Sequence, residues 1–82
     1  MTETIFSYRD MTELARMDFR AGFRAGMGRP DAYALADIDL DLKLRAETQQ
    51  IVKISDQLAD RMGMSFAMGY AFGRRIKQEA AR

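Results

Sequence analysis

The sequence predicts an all-α domain, a small helical hairpin or bundle of two to three helices that self-association completes. Two long stretches carry apolar residues at the three- and four-residue spacing of a helix. Of the 82 residues, 48% are hydrophobic, six are glycine and only one is proline. Such a composition is typical of one folded domain rather than of a disordered chain. A core this small gains buried area most simply from a second copy.

The composition also excludes several kinds of chemistry. The chain has no Cys and no His, which excludes disulfides, thiol chemistry and imidazole catalysis and leaves no structural zinc site. Thirteen basic and twelve acidic residues give a net charge of +1. That charge is uneven, at +1 over residues 1–30, −4 over 31–60 and +4 over 61–82. The unevenness suggests antiparallel pairing of two copies or two contact surfaces of different charge, and ordinary solvated faces are the alternative.

The first predicted element is a helix over about residues 7–27. Ser7 with Asp10, or Asp10 with Glu13, can form a capping box at its start. Gly28 and Pro30 are expected to end it, with a turn over 28–31. The apolar face recurs at helical spacing and comprises Tyr8, Met11, Ala15, Phe19, Gly22, Phe23 and Gly26.

The second predicted element is a helical region over about residues 32–80, with a possible break near Gly63. Asp31 can cap its start, and Ser55 is an alternative cap further on. Residues 37–44 alternate charged and apolar side chains, so a short strand or extended turn at 37–41 stays open as an alternative. The only partner for such a strand would be residues 4–8. The predicted apolar stripe of the last part is Ile51, Leu58, Met62, Phe66, Gly69, Gly73 and Ile76.

Twelve uncharged, mostly apolar residues lie between Arg61 and Arg74. A helix that is apolar on all sides is buried on all sides, so this stretch is predicted to be the central helix. A membrane-spanning helix needs about 20 apolar residues, which makes the stretch too short to cross a bilayer.

One pattern occurs twice, 47 residues apart. Residues 17–26 and 64–73 share Met-x-Phe-x-x-Gly-aromatic-x-x-Gly. A glycine inside a helix costs about 0.8–1 kcal/mol relative to alanine, so a compensating close contact is expected. Glycines four residues apart allow another helix backbone to approach closely. We therefore predict a helix-packing contact, either within the chain or between two copies, formed by Phe19, Gly22, Phe23, Gly26, Phe66, Gly69, Tyr70 and Gly73.

The opposite face of the first helix carries arginines, and we predict a partner-binding surface there. Arg16, Arg20 and Arg24 are spaced four residues apart and span about 12 Å of helix. An acidic protein surface or the phosphates of a nucleic acid would suit them. The alternative is a solvated face with ion pairs to Glu13 or Asp18. The complete predicted surface is Arg9, Arg16, Arg20 and Arg24, and a second basic cluster comprises Arg74, Arg75, Lys77 and Arg82.

No catalytic, cofactor or metal site is predicted. The run Asp37-x-Asp39-x-Asp41 is similar to the start of a calcium-binding loop, but Leu42 and Thr48 occupy the positions that need Gly and Glu. No spacing selects a pair of carboxylates in a cleft. An amphipathic peptide on a membrane surface is a weaker alternative, because the apolar stretch is typical of a protein core.

The sequence therefore predicts a non-enzymatic helical interaction protein that acts as a homo-oligomer. It would be a small adaptor or an inhibitor of a larger protein, of the kind that mobile elements and phages carry. The alternative is a small nucleic-acid-binding accessory protein that uses the arginine face. The N-terminus has neither a basic region nor a long apolar region of the secretory type, so a cytoplasmic location is expected.

Overall fold

The structure, a computed structural model, describes residues 2–28 and 49–80. This part of the chain is mostly helical but also holds a small two-stranded sheet, so the all-α prediction is right only in part. The predicted Asp31 cap, the end of the predicted turn and the alternating run 37–44 lie outside the described residues. The elements are β1 (Thr2–Phe6), a 3-10 helix (Tyr8–Asp10), α1 (Glu13–Met27), β2 (Gln50–Ile54), α2 (Asp56–Met62) and α3 (Met64–Ala80).

The sheet pairs the first residues of the two described segments. β1 and β2 are antiparallel, with Thr2 opposite Ile54 and Phe6 opposite Gln50. The prediction of helix through residue 54 is therefore wrong. Three β-branched residues occur within positions 51–54, and such residues favour strands because their branched side chains pack well on a pleated surface. Burial alternates along β2, with Val52 inside and Lys53 outside.

α1 begins later than predicted. The Thr12 hydroxyl accepts a hydrogen bond from the Ala15 N–H at 3.2 Å and caps the helix, whereas Ser7 makes no side-chain cap bond. The start at Ser7 is wrong because Tyr8 turns into the core from the 3-10 helix and is only 2% exposed. The end is as predicted, since Gly28 takes the left-handed conformation at φ 69° and closes the helix.

The break near Gly63 is confirmed. The Ser55 hydroxyl accepts a hydrogen bond from the Leu58 N–H at 3.2 Å, which starts α2 just after the strand. Gly63 has φ 84°, a backbone conformation that favours glycine, and it separates α2 from α3. The predicted burial on all sides is wrong at this junction, because Met62 and Met64 are about half exposed.

α1 and α3 form the main helix pair, and they run parallel. Gly22 lies against Phe66 and Tyr70, and Gly26 lies one turn further along against Tyr70 and Arg74. The predicted hairpin, whose helices would be antiparallel, is therefore wrong.

The core lies between this helix pair and the inner face of the sheet. The Phe6 ring packs on Phe19 at 5.0 Å between centroids and on Phe72 at 5.7 Å. The apolar stripe predicted for the C-terminal part is wrong at Ile51, which lies half exposed on β2, and at Met62, which is half exposed at the end of α2. The buried hydrophobic residues are Phe6, Tyr8, Phe19, Phe23, Met27, Val52, Ile54, Ala67, Phe72 and Ile76.

Candidate functional site

The repeated glycines bring the backbones of α1 and α3 into contact. A Cβ on Gly22 would lie 2.9 Å from the Tyr70 nitrogen and closer still to the Phe66 carbonyl oxygen. A Cβ on Gly69 would meet the backbone of Phe19 in the same way. Such distances leave no room for any side chain, which accounts for the glycines despite their low helix propensity.

This contact is reciprocal, because each helix places its two glycines against the other. Gly26 faces Tyr70 and Arg74, while Gly73 faces Phe23 and Met27. All eight residues of the predicted packing surface lie on α1 or α3 of one chain. Their glycine faces are occupied within the chain, so the observation that favoured self-association is accounted for without a second copy.

The predicted arginine surface divides into two kinds of side chain. Arg16 folds inward, where its Nε donates to the Tyr8 carbonyl at 3.2 Å and its Nη2 donates to the Arg9 carbonyl at 2.8 Å. The Arg16 guanidinium also lies over the Tyr8 ring, 5.2 Å from its centroid. Arg16 therefore holds the N-terminal segment on α1.

Arg20 is also directed toward Tyr8. Its Nη1 donates to the Tyr8 hydroxyl at 3.0 Å, and its Nη2 lies 3.3 Å from the Glu13 carboxylate. Its side chain is only 11% exposed. Arg9 is exposed and Arg24 is partly exposed. Two of the four arginines thus stabilise the fold, and the remaining two form a much smaller basic surface.

A second basic surface lies between β2 and α3. A groove of about 520 Å³ runs between β2 and α3. Val52 and Ile54 are buried and Leu58 and Ala71 partly buried, and these residues give the groove an apolar floor. We call it the β2–α3 groove. Its lining residues are Ile51, Val52, Lys53, Ile54, Ser55, Leu58, Tyr70, Ala71, Arg74, Arg75 and Gln78.

Among residues 2–28 and 49–80, the charged side chains that line the β2–α3 groove are all positive. They are Lys53, Arg74 and Arg75. Lys53 and Arg74 are exposed, while Arg75 is partly buried. Basic side chains beside an apolar floor can bind a ligand that carries both carboxylates and apolar groups.

Arg75 fixes one wall of the groove to the other. Its Nη1 donates to the Ile51 carbonyl at 2.8 Å, and its Nη2 donates to the Gln50 side-chain oxygen at 2.6 Å. Its guanidinium also lies over the Phe72 ring, 5.0 Å from the centroid. Arg75 thereby connects α3 to β2 across the groove.

Arg74 is the more available of the two arginines. Its guanidinium lies 5.9 Å from the Tyr70 ring centroid, and its side chain makes no hydrogen bond or ion pair within residues 2–28 and 49–80. Sequence reasoning placed it in a second basic cluster but not in a site, because the strand that forms the opposite wall was assigned to a helix. The Ile-Val-Lys-Ile run was the observation that could have located the groove.

Comparison with known proteins finds no matching family model, no similar curated protein and no similar solved structure. Within the part of the chain that the structure describes, no helix is long and apolar enough to cross a membrane. The same residues contain no group of three or more acidic side chains placed to hold a metal ion. The geometry of the groove is thus the basis on which a function can be argued.

Proposed function

We propose that this protein is a non-enzymatic interaction module that binds a segment of a larger protein in the β2–α3 groove. The observation that carries the proposal is an apolar floor bordered by Lys53, Arg74 and Arg75, the charged residues that line the groove in the described part of the chain. An acidic partner segment would gain both charge complementarity and apolar burial there. An adaptor and an inhibitor each need such a surface.

The groove supports this role better than the arginine face does. Arg16 and Arg20 are directed to Tyr8 and Glu13, so binding a partner through them would break contacts that hold the fold. Arg74 can bind a carboxylate without such a loss. The proposal needs no second copy of the chain, although a homo-oligomer remains compatible with it.

A nucleic acid is the second candidate ligand, since Lys53, Arg74 and Arg75 could contact phosphates. The apolar floor favours a protein. Nucleic-acid grooves typically present open aromatic faces for base stacking, whereas the Tyr70 ring is partly buried and covered by Arg74.

Site-specific photocrosslinking in the cells that express the protein tests the proposal. Gln78 lies at the edge of the groove and is exposed, so a benzophenone amino acid at this position would be within reach of a bound partner. Asp18, exposed on α1 and outside the groove lining, is the matched control position. Light should produce a protein adduct from position 78 and none from position 18.

The adduct should resist nuclease and disappear when Arg74→Glu is combined with the crosslinker. A nuclease-sensitive adduct would replace the protein partner with a nucleic acid. Equal adducts from both positions, or none from position 78, would contradict the assignment of the groove.

A further inference from the structure

Within the described residues, the edge of β2 that borders the groove has backbone groups without a hydrogen-bond partner. The sheet of these residues has two strands, and β2 pairs in it with β1 alone. The Ile51 carbonyl accepts its hydrogen bond from Arg75 of α3, which places this carbonyl on the other edge. Backbone groups of an antiparallel strand alternate between its two edges, so the N–H and C=O of Lys53 share the edge of Ile51.

We propose that the partner segment binds as a third strand along this edge of β2. The inference rests on the proposed function and names the conformation and chemistry of the ligand. An extended segment would pair its backbone with Lys53 and the Ile51 N–H, as peptides do when they extend a sheet. The bound strand would then fill the space between β2 and α3.

The side chains of the groove define which sequence fits such a strand. Successive residues of a strand point to opposite faces, so one set would face inward and the other outward. Inward residues would meet Leu58 and Ala71 and should be apolar. Outward residues would lie beside the Lys53 side chain, which is exposed on the outer face of the sheet. Arg74 and Arg75 are the other charged residues that line the groove in the described part of the chain. The outward residues of the bound strand should therefore be acidic.

The geometry of the sheet also argues for strand pairing over a helical ligand. An unpaired strand edge readily pairs with another chain unless charges, bulges or a covering element block it. Arg75 covers the Ile51 carbonyl but leaves the Lys53 backbone without a hydrogen-bond partner in the described part of the chain. A helix laid in the groove would leave those groups unpaired.

Fluorescence anisotropy with a labelled peptide of alternating aspartate and valine tests the inference on the full chain. We expect this peptide to bind at least about tenfold more tightly than a peptide of alternating lysine and valine. Arg74→Glu should abolish binding. Arg9→Glu, a charge reversal of an exposed arginine outside the groove, should leave it unchanged.

N-methylation of the peptide isolates the backbone contribution without changing the protein. All valine N–H groups of a strand point to one edge, and all aspartate N–H groups point to the other. Methylation of either all valines or all aspartates, whichever face β2, should therefore weaken binding at least about tenfold. Methylation of the other residue type, whose N–H groups point away from β2, should change binding less than about twofold.

The other outcomes of the peptide and crosslinking experiments separate the bound strand from the proposed function. Equal weakening by both methylation patterns, or by neither, would overturn strand pairing and leave the groove as a protein-binding site. Failure of the Asp/Val peptide to bind, together with a groove-specific photocrosslink, would overturn the acidic strand but not the proposed function. Loss of both the peptide binding and the crosslink would remove the inference and the function together.

Discussion

Two tyrosines of this molecule lie beside arginines, and the two clusters differ in what the arginines contact. Around Tyr8, both Arg16 and Arg20 donate to the tyrosine itself, and the ring is buried. Around Tyr70, Arg74 stays exposed beside a partly buried ring. Arginines on a helix are therefore available to a partner only where the chain's own carbonyls and hydroxyls do not occupy their guanidinium groups.

The packing of α1 on α3 underlies both clusters, so breaking it should have the largest effect. Gly22→Leu would place a side chain against the Phe66 carbonyl and the Tyr70 nitrogen. Relief requires the helices to separate, and overpacking alone costs about 1–3 kcal/mol in cores that can adjust. Here backbone faces backbone, so we expect loss of the cooperative thermal transition in circular dichroism.

Ala25→Leu is the control for Gly22→Leu. Ala25 is exposed on the same helix, so the larger side chain should leave the melting temperature almost unchanged. A Gly22→Leu protein that melts like the wild type would contradict the close contact of the two helices.

Truncation of one arginine from each cluster should separate structure from binding. Arg16→Ala removes two hydrogen bonds to backbone carbonyls and the contact with the Tyr8 ring. We expect the free energy of unfolding to fall by about 2–3 kcal/mol. Arg74→Ala should change it by less than about 0.5 kcal/mol, as at other exposed positions. Urea denaturation measures both, and equal losses would remove the distinction between the clusters.

The two tyrosine hydroxyls provide a finer version of the same test. Tyr8→Phe removes the acceptor of the Arg20 guanidinium in a partly buried site. The expected loss of unfolding free energy is about 1–2 kcal/mol, because a charged donor loses one of its partners. Tyr70→Phe should cost less than about 0.5 kcal/mol, since no hydrogen bond of the described residues involves its hydroxyl. A larger loss from Tyr70→Phe than from Tyr8→Phe would reverse our assignment.

The ion pair between Arg20 and Glu13 should contribute least. The Glu13 side chain is 70% exposed, so water and salt screen its attraction to the guanidinium. Glu13→Gln should therefore lower the unfolding free energy by less than about 0.5 kcal/mol. A loss above about 1 kcal/mol would show that the carboxylate, rather than Tyr8, fixes Arg20.

The end of α1, the start of α2 and the glycine contact could be predicted from sequence because they depend on local rules. Gly28 ends α1 by its own backbone freedom, and Ser55 caps α2 within one turn. The spacing of Gly22 and Gly26 required a close neighbour, and the structure supplies α3.

The sheet and the arginine contacts depend on distant partners, which sequence patterns do not identify. β2 was assigned to a helix because the residues before it favour helices, yet its β-branched run pairs with β1 almost fifty residues away. Arg16 and Arg20 were assigned to a partner-binding surface because the path of residues 7–10, which brings Tyr8 to α1, is not evident from spacing. The groove could not be predicted for both reasons. It needs the strand β2, which was assigned to a helix, and an exposed arginine on the helix beside it.

The most direct test of the central claim is a nuclear magnetic resonance titration of the isotope-labelled protein with the Asp/Val peptide. Amide shift changes report which surface the peptide contacts. Our account predicts saturable changes at Lys53, Ala71 and Arg74, with Arg9 and Arg24 unaffected. Changes centred on Arg9 and Arg24, with the groove residues unmoved, would contradict it and return the binding surface to the arginine face of α1.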